Sequence, residues 1–527
     1  MLKVPDDFLV TNFFNIVIMK KYFPLLITMI LLIGCSSTEK DKKSDPRLPN
    51  IVLILADDMG YGDVGCYNPE SKIPTPGIDM LASEGILFTD AHSPSALCTP
   101  TRYGLLTGRY CWRTRLKQGV ILGYDEAPLI ENGRSTIASM LKSKGYHTAC
   151  IGKWHLGMKW QTKEGYVIQD DQNNWNNDPV IFRANEQNID FTKPIEGGPV
   201  DLGFDYFFGT LGCSTSDPPY CFIENNMTVG IPSIPSPEEY SKLPGFVPGL
   251  MVHGWSLEEV DPIFTGKAIQ FIEDHQNRSK DKPFFLYLAL SSPHNPFLPP
   301  DFAKGKSLEG PRGDLVTVVD WSTGRILETL KKYELEDNTL VILTSDNGAM
   351  RGANGHKSSA NFRGYKGDIW EGGHRIPFIV RWPDKIEPGS TSNEIISLTD
   401  MFATFAKLVS YKTSDNEGED SYDILPAFLG KRQNSSDDRV RVFHSGSGVF
   451  ALRIGQWKLV EGTKRSGSGK LSLTEYSLGM TGQLYNMLDD PGERNDLWYK
   501  EPEKVTELGK LLEKCKSMTK SNSIYNN

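Results

Sequence analysis

Three uninterrupted apolar runs, each of strand length, constrain the fold of this chain more than any other feature. They are Asn50–Ala56 (NIVLILA), Phe284–Leu290 (FFLYLAL) and Thr339–Thr344 (TLVILT). A strand with one wet face alternates polar and apolar residues, whereas a run without alternation belongs to a strand covered on both faces. The covering helices are legible between the runs. Thr75–Gly85 carries Ile78, Leu81 and Ala82 at helical spacing. Ser135 reads as the N-cap of a second helix with Ile137, Met140 and Leu141 apolar, ended by Gly145. Phe264–Asp274 and Val316–Tyr333 are further helices, and Thr148–Gly152 and Phe378–Trp382 further short strands. This alternation predicts an α/β fold with a large mixed, mostly parallel sheet sandwiched by helices. After about residue 410 the segments shorten and alternate: Arg439–His444, Val449–Ile454, Trp457–Val460 and Gln483–Asn486, with Ser466–Gly469 as a loop tip and Pro502–Met518 as a helix. The expected organisation is one large domain over 50–410 and a small antiparallel α+β subdomain over 411–518.

The first 49 residues concern address rather than fold. Met19-Lys20-Lys21 precedes the apolar run Leu25–Ile33, and Gly34-Cys35-Ser36-Ser37 follows. A basic start, a short apolar stretch and small residues at its end make an export signal, too short for a spanning helix. Leu32-Ile33-Gly34-Cys35 resembles the lipobox of bacterial lipoproteins, which implies lipidation of Cys35. Residues 1–35 then form an upstream extension and signal, and 36–49 a tether. The expectation is a protein exported and lipid-anchored in the envelope of a Gram-negative bacterium. Eight cysteines are present, of which Cys213 and Cys221 flank Pro218-Pro219 and are candidates to pair. Lys and Arg total 57 against 66 Asp and Glu, and no basic block interleaves with aromatics, so no nucleic-acid partner is expected.

The chemistry gathers where strands end. Asp57-Asp58 follow the first run and Asp346-Asn347 follow the third. In an open parallel sheet ligands collect at the carboxyl ends of strands, so these pairs can meet at one point. Three carboxylates and an amide suit a hard divalent cation, Ca2+ or Mg2+, while each pair alone could equally cap a helix. Cys98-Thr99-Pro100-Thr101-Arg102 places a cation one helical turn from a thiol, which would favour a nucleophilic thiolate. Lys153 and His155, two apart at a strand end, would share a face. His294 follows the second run, and Lys366 precedes Trp370-Glu371-Gly372-Gly373.

In this order, Asp57-Asp58, Cys98-x-Pro-x-Arg102 with Leu106-Thr107-Gly108-Arg109, Gly152-Lys153-Trp154-His155, Pro293-His294, Asp346-Asn347-Gly348 and Lys366 resemble the motifs of type I sulfatases of the alkaline phosphatase superfamily. The likeness runs from Pro49 to about residue 515. The stretch Asp201–Asn225 resembles bacterial carbohydrate sulfatases related to arylsulfatase A and galactosamine-6-sulfatase. The resemblance implies that a maturation enzyme oxidises Cys98 to Cα-formylglycine. It implies one Ca2+, or else Mg2+, held by Asp57, Asp58, Cys98 in its modified form, Asp346 and Asn347. It implies catalytic roles for Cys98, Arg102, Lys153, His155, His294 and Lys366. Arg102 would stabilise the ionised diol, Lys153 and Lys366 bind sulfate oxygens, His294 protonate the leaving alcohol, and His155 steer the second hydroxyl. The substrate class would be a sulfated polysaccharide, algal (ulvan, carrageenan, porphyran) or a glycosaminoglycan. His253, Trp255, His356 and the loop Asp217–Asn226 are candidate sugar contacts. Two alternatives remain open. A phosphoester hydrolase on this scaffold would need a second metal site, which the nine histidines do not assemble. A non-catalytic glycan-binding lipoprotein would be expected to have lost a core residue, and none is lost.

Overall fold

The computed structural model describes residues 48–124, 127–169, 179–431, 439–461 and 482–523. The signal, Cys35, the tether up to residue 47 and the loop tip at 466–469 lie outside the described residues. From Leu48 onward the chain is one compact unit. Among the described residues no helix is long and apolar enough to cross a membrane.

The first apolar run is strand β1 (Asn50–Ala56) at the heart of a ten-stranded sheet. In chain order the sheet adds β2 (Ile86–Phe88), β3 (His147–Lys153), β4 (Tyr206–Thr210), β5 (Ile223–Glu224) and β6 (Met227–Thr228). It is completed by β7 (Phe284–Ala289), β8 (Thr339–Ser345), β9 (Phe378–Arg381) and β10 (Ser390–Ser392). Across the sheet they run β10-β2-β9-β8-β1-β7-β3-β4-β5-β6. The five middle strands, β8 to β4 in that order, are mutually parallel. β9 pairs antiparallel with β8, and β5 and β6 are also antiparallel. The mixed, mostly parallel sheet expected from the apolar runs is therefore present.

Both faces of the central strands are covered, which is why their runs lack alternation. Ile51, Leu53 and Leu55 face one core with Phe285 and Tyr287, and Val52, Ile54 and Ala56 face the other with Leu286 and Leu288. Helices α1 (Val260–Arg278) and α2 (Pro311–Lys332) cover the second face. The helix after residue 135 is Ile137–Ser143, and its N-cap is Thr136, not Ser135. Thr136 Oγ1 accepts from Ser139 N–H at 3.1 Å while Ser139 Oγ accepts from Thr136 N–H at 2.9 Å, a reciprocal cap that Ser135 cannot make.

The C-terminal strands β11 (Arg441–His444), β12 (Phe450–Ile454), β13 (Trp457–Glu461) and β14 (Gly482–Asn486) form a separate antiparallel sheet in sequential order. Helix α3 (Pro502–Ser517) packs on it through Leu508, Leu512 and Cys515. A buried ion cluster ties this sheet to the large one. Lys458 of β13 is fully buried, with Nζ 2.9 Å from Glu371 and 2.7 Å from Glu493, and it donates to Ile369 O at 3.1 Å. Glu371 lies five residues after Lys366, so the cluster braces the segment that carries a site residue. Removing one partner of a buried pair strands the other charge. Lys458→Met should therefore cost about 3–5 kcal/mol in denaturant unfolding. A loss below about 1 kcal/mol would show that the cluster does not hold the two sheets together.

Candidate active site

Each of the five parallel strands delivers a functional side chain just past its carboxyl end. β1 is followed by Asp57 and Asp58, β8 by Asp346 and Asn347, and β7 by His294. β3 ends in Lys153 and is followed by His155, and β4 is followed by Cys213. The helix Cys98–Thr107 adds Cys98 at its first residue and Arg102 one turn later on the same face. Lys366 arrives on the loop before Glu371–His374.

The side chains interlock. Arg102 Nε and Nη2 donate to Asp346 Oδ2 at 3.0 and 2.8 Å, and Nη1 donates to Lys153 O at 2.8 Å. Lys153 Nζ lies 2.5 Å from Asp57 Oδ2. Lys366 Nζ lies 2.7 Å from Asp58 Oδ2, and Asn347 Nδ2 donates to Asp58 Oδ1 at 2.7 Å. His294 Nε2 is 3.9 Å from Asp58 Oδ2, and its Nδ1 is 2.6 Å from Asn295 O, leaving Nε2 toward the cluster. Cys98, His155 and Cys213 place their ligand atoms within 4.8 Å of one another, as do Asp57, Cys98 and Asp346. All ten residues expected from the sequence thus converge.

Three local devices make the convergence possible. Gly152 has φ of 117°, and a Cβ there would lie 1.8 Å from Ala289 O, so only glycine lets β3 approach β7 so closely. Asp58 and His155 take positive φ values of 70° and 56°, a conformation that costs an L-residue about 1–2 kcal/mol. His155 therefore reaches the site through a turn, not through the strand alternation expected from its spacing. Asp261, at the start of α1, accepts from the N–H groups of Ser291 and Ser292 at 2.8 and 2.7 Å and so fixes the loop that presents His294.

Electrostatics follow from burial. Burial alone would raise the Asp57 carboxyl, but Lys153, His294 and Arg102 outweigh it and hold it well below the usual carboxylate range. Burial and the Asp57 charge push Asp346 upward despite Arg102. Burial and then Lys366 lower His294. For the Cys98 thiol burial is overcome by the Cys213 hydrogen bond, His155 and Lys153, which hold it far below an ordinary thiol. Two buried oxygens of the site, Asp57 Oδ1 and Asn347 Oδ1, have no hydrogen-bond partner among the described residues. Unsatisfied buried oxygens beside crowded carboxylates fit a hard divalent cation, because one cation would relieve both. Asp57, Asp58, Asp346 and Asn347 are the residues that would hold it.

Other expectations need correction. Cys213 and Cys221 do not pair; both are free, as are the other five cysteines among the described residues. Cys213 belongs to the site: its Sγ is 2.9 Å from Lys153 Nζ and 3.8 Å from both His155 Nδ1 and His294 Nε2. Nothing in its local sequence marked it as a site residue. His356 is buried rather than exposed to a ligand, with Nε2 2.8 Å from Asp63, which also pairs with Arg312. Trp255 packs on Phe222 with ring centroids 4.6 Å apart. Half of the loop 217–226 is buried, Tyr220, Cys221 and Ile223 among it, and Asp217 accepts from Cys213 N–H at 3.0 Å. His253 is exposed and makes no hydrogen bond or ion pair to the cluster.

Comparison with known proteins agrees with this geometry. The sulfatase family model matches residues 49–411. An N-acetylgalactosamine-6-O-sulfatase of Bacteroides thetaiotaomicron is 34% identical over 94% of this chain and 99% of its own length. Human arylsulfatase A is 34% identical over 86% of this chain and 83% of its own. Among solved structures, a 6S-sulfatase described in the metabolism of multiple glycosaminoglycans by Bacteroides thetaiotaomicron superposes with a TM-score of 0.76 at 33% identity, covering 90% of this chain and all of that one. Ps i-CgsB in complex with k-i-k-neocarrahexaose gives 0.68 at 25% identity, covering 90% and 94%. The chain belongs to the sulfatase family and is a sulfuric ester hydrolase.

Proposed function

We propose that this protein hydrolyses sulfate monoesters on a sulfated polysaccharide or its oligosaccharides, after oxidation of Cys98 to Cα-formylglycine. The observation that carries this is the placement of Cys98. It sits at a helix N-terminus beside His155 and Lys153, within ligand distance of Asp57 and Asp346. The relatives named as carbohydrate sulfatases support the substrate class.

A thiol has no second hydroxyl with which to release a bound sulfate. The hydrated aldehyde offers two hydroxyls on one carbon, one to attack sulfur and one whose deprotonation frees the sulfate. A bound Ca2+, or Mg2+, would neutralise sulfate oxygens and lower the barrier to an anionic nucleophile. The chain's own residues do the rest. Lys153 and Lys366, kept protonated by Asp57 and Asp58, bind sulfate oxygens as point charges. Asp346 takes the proton of the attacking hydroxyl, and Arg102 stabilises the charge that develops at position 98. His294, with Nε2 facing the cluster, protonates the leaving sugar oxygen. His155 withdraws the proton of the second hydroxyl. The loss of water around the buried groups strengthens each of these interactions.

Mass spectrometry of the peptide Ile73–Arg102 should show formylglycine at position 98 in active preparations, and sulfate release should scale with that fraction. Full turnover by protein carrying only unmodified Cys98 would contradict the mechanism. Chelation should abolish turnover and added Ca2+ restore it, and Asp57→Ala should cost about a hundredfold or more. Undiminished turnover in metal-free protein would exclude the cation. We further propose lipidation at Cys35, supported by the lipobox-like Leu32–Cys35. A diacylated cysteine holds firmly to a membrane where one chain does so marginally. The wild type should fractionate with membranes and Cys35→Ala should not; soluble wild-type protein cleaved at another residue would defeat this assignment.

A further inference from the structure

Two segments leave the active site side by side. One runs from Asn347 through Ala349 to Arg351, and the other arrives through Tyr365 at Lys366. Lys366 N–H donates to Ala349 O at 2.8 Å and ties them together. Beyond the tie the Arg351 guanidinium lies over the Tyr365 ring, its carbon 5.2 Å from the centroid. Tyr365 is fixed from its other neighbour, because its N–H donates to the Asp368 carboxylate at 3.0 Å.

Arg351 is exposed and forms no hydrogen bond or ion pair among the described residues. Arg363 makes the contrast. It also stacks on an aromatic ring, that of Trp370, but commits its donors to the Tyr485 hydroxyl and Glu493 O. All five donors of Arg351 remain open. A guanidinium held against a ring has already lost part of its rotamer freedom, so capturing an oxyanion costs it less. Its place is also telling. Side-chain exposure is 0% at Lys153, Asp57 and Arg102, 2% at Asp58 and 9% at His294, but 17% at Lys366. The cluster opens at Lys366, and Tyr365 is the next residue.

We propose that Arg351, positioned by Tyr365, forms a subsite for a second anionic group, a carboxylate or sulfate on the sugar next to the one being desulfated. This rests on the sulfated-glycan reading above and narrows it to a polyanionic chain. Such an anion, outside the cluster, would meet a planar fork that matches its oxygens in a bidentate way. Because the subsite is open to water, its contribution is modest and screened by salt.

The test uses the full chain in four forms: wild type, Arg351→Ala, Arg351→Lys and Tyr365→Ala. Calorimetry measures binding of a chondroitin 6-sulfate tetrasaccharide and an ι-carrageenan tetrasaccharide. Turnover of 4-nitrophenyl sulfate, which carries no second anion, is measured on the same preparations. Arg351→Ala should weaken binding of at least one tetrasaccharide, with a loss roughly five- to tenfold larger than its loss on the aryl sulfate. Added salt should shrink the difference. Arg351→Lys should restore only part of it, because an ammonium lacks the fork, and Tyr365→Ala should fall between. Equal affinity of wild type and Arg351→Ala, equal losses on tetrasaccharide and aryl sulfate, or no measurable binding of either tetrasaccharide by the wild type would each overturn the subsite. Failure of matured wild type to turn over the aryl sulfate would count against the sulfatase chemistry instead, and the binding arm would still decide the subsite.

Discussion

Three carboxylates crowd one buried edge of the sheet, and the architecture around them is organised by their compensation. Asp57, Asp58 and Asp346 meet where β1 and β8 end, against Lys153, Lys366 and Arg102. A buried charge without its partner costs several kcal/mol, so no member of this set can be removed cheaply. The pairing also explains the topology. Only adjacent parallel strands bring their carboxyl ends to the same edge, and here five of them do. Arg102 is the connecting piece: it holds Asp346 through two nitrogens and the end of β3 through Lys153 O, and so links three elements one helical turn from Cys98.

The site also stores unfavourable features that packing alone would not select. Asp58 and His155 sit in left-handed backbone, and Asp57 Oδ1 and Asn347 Oδ1 are buried without a hydrogen-bond partner among the described residues. Such features persist where the surrounding structure over-determines them, and they cluster where a ligand is to be bound. Cys213 adds a further constraint. With Sγ 3.8 Å from both His155 Nδ1 and His294 Nε2, it lies between the two imidazoles and forms part of the wall of the cluster.

Much of this was legible in the chain because the signals were local. Apolar runs that do not alternate identify β1, β7 and β8, and Asp57-Asp58 and Asp346-Asn347 after two of them mark the candidate cation site. The rest depended on distant partners. An apolar run reads the same in either direction, so Phe378–Arg381 gave no sign of running antiparallel to β8. His356 looked available until Asp63 was placed against it. Cys213 suggested a disulfide because Cys221 is near in sequence, whereas its partner in space, Lys153, is 60 residues away. Ser135 and Thr136 are both capping residues, and only the reciprocal bond with Ser139 separates them.

The central claim is that this arrangement of charge serves transfer of a sulfuryl group to position 98. The most direct measurement compares 4-nitrophenyl sulfate with 4-nitrophenyl phosphate on one preparation whose formylglycine and metal content are known. A single cation, two lysines and a matured Cys98 predict a kcat/KM for the sulfate ester at least about a hundredfold above that for the phosphate ester, a difference of about 2.7 kcal/mol in transition-state stabilisation. A preference for the phosphate ester, or equal rates with the two, would contradict the account.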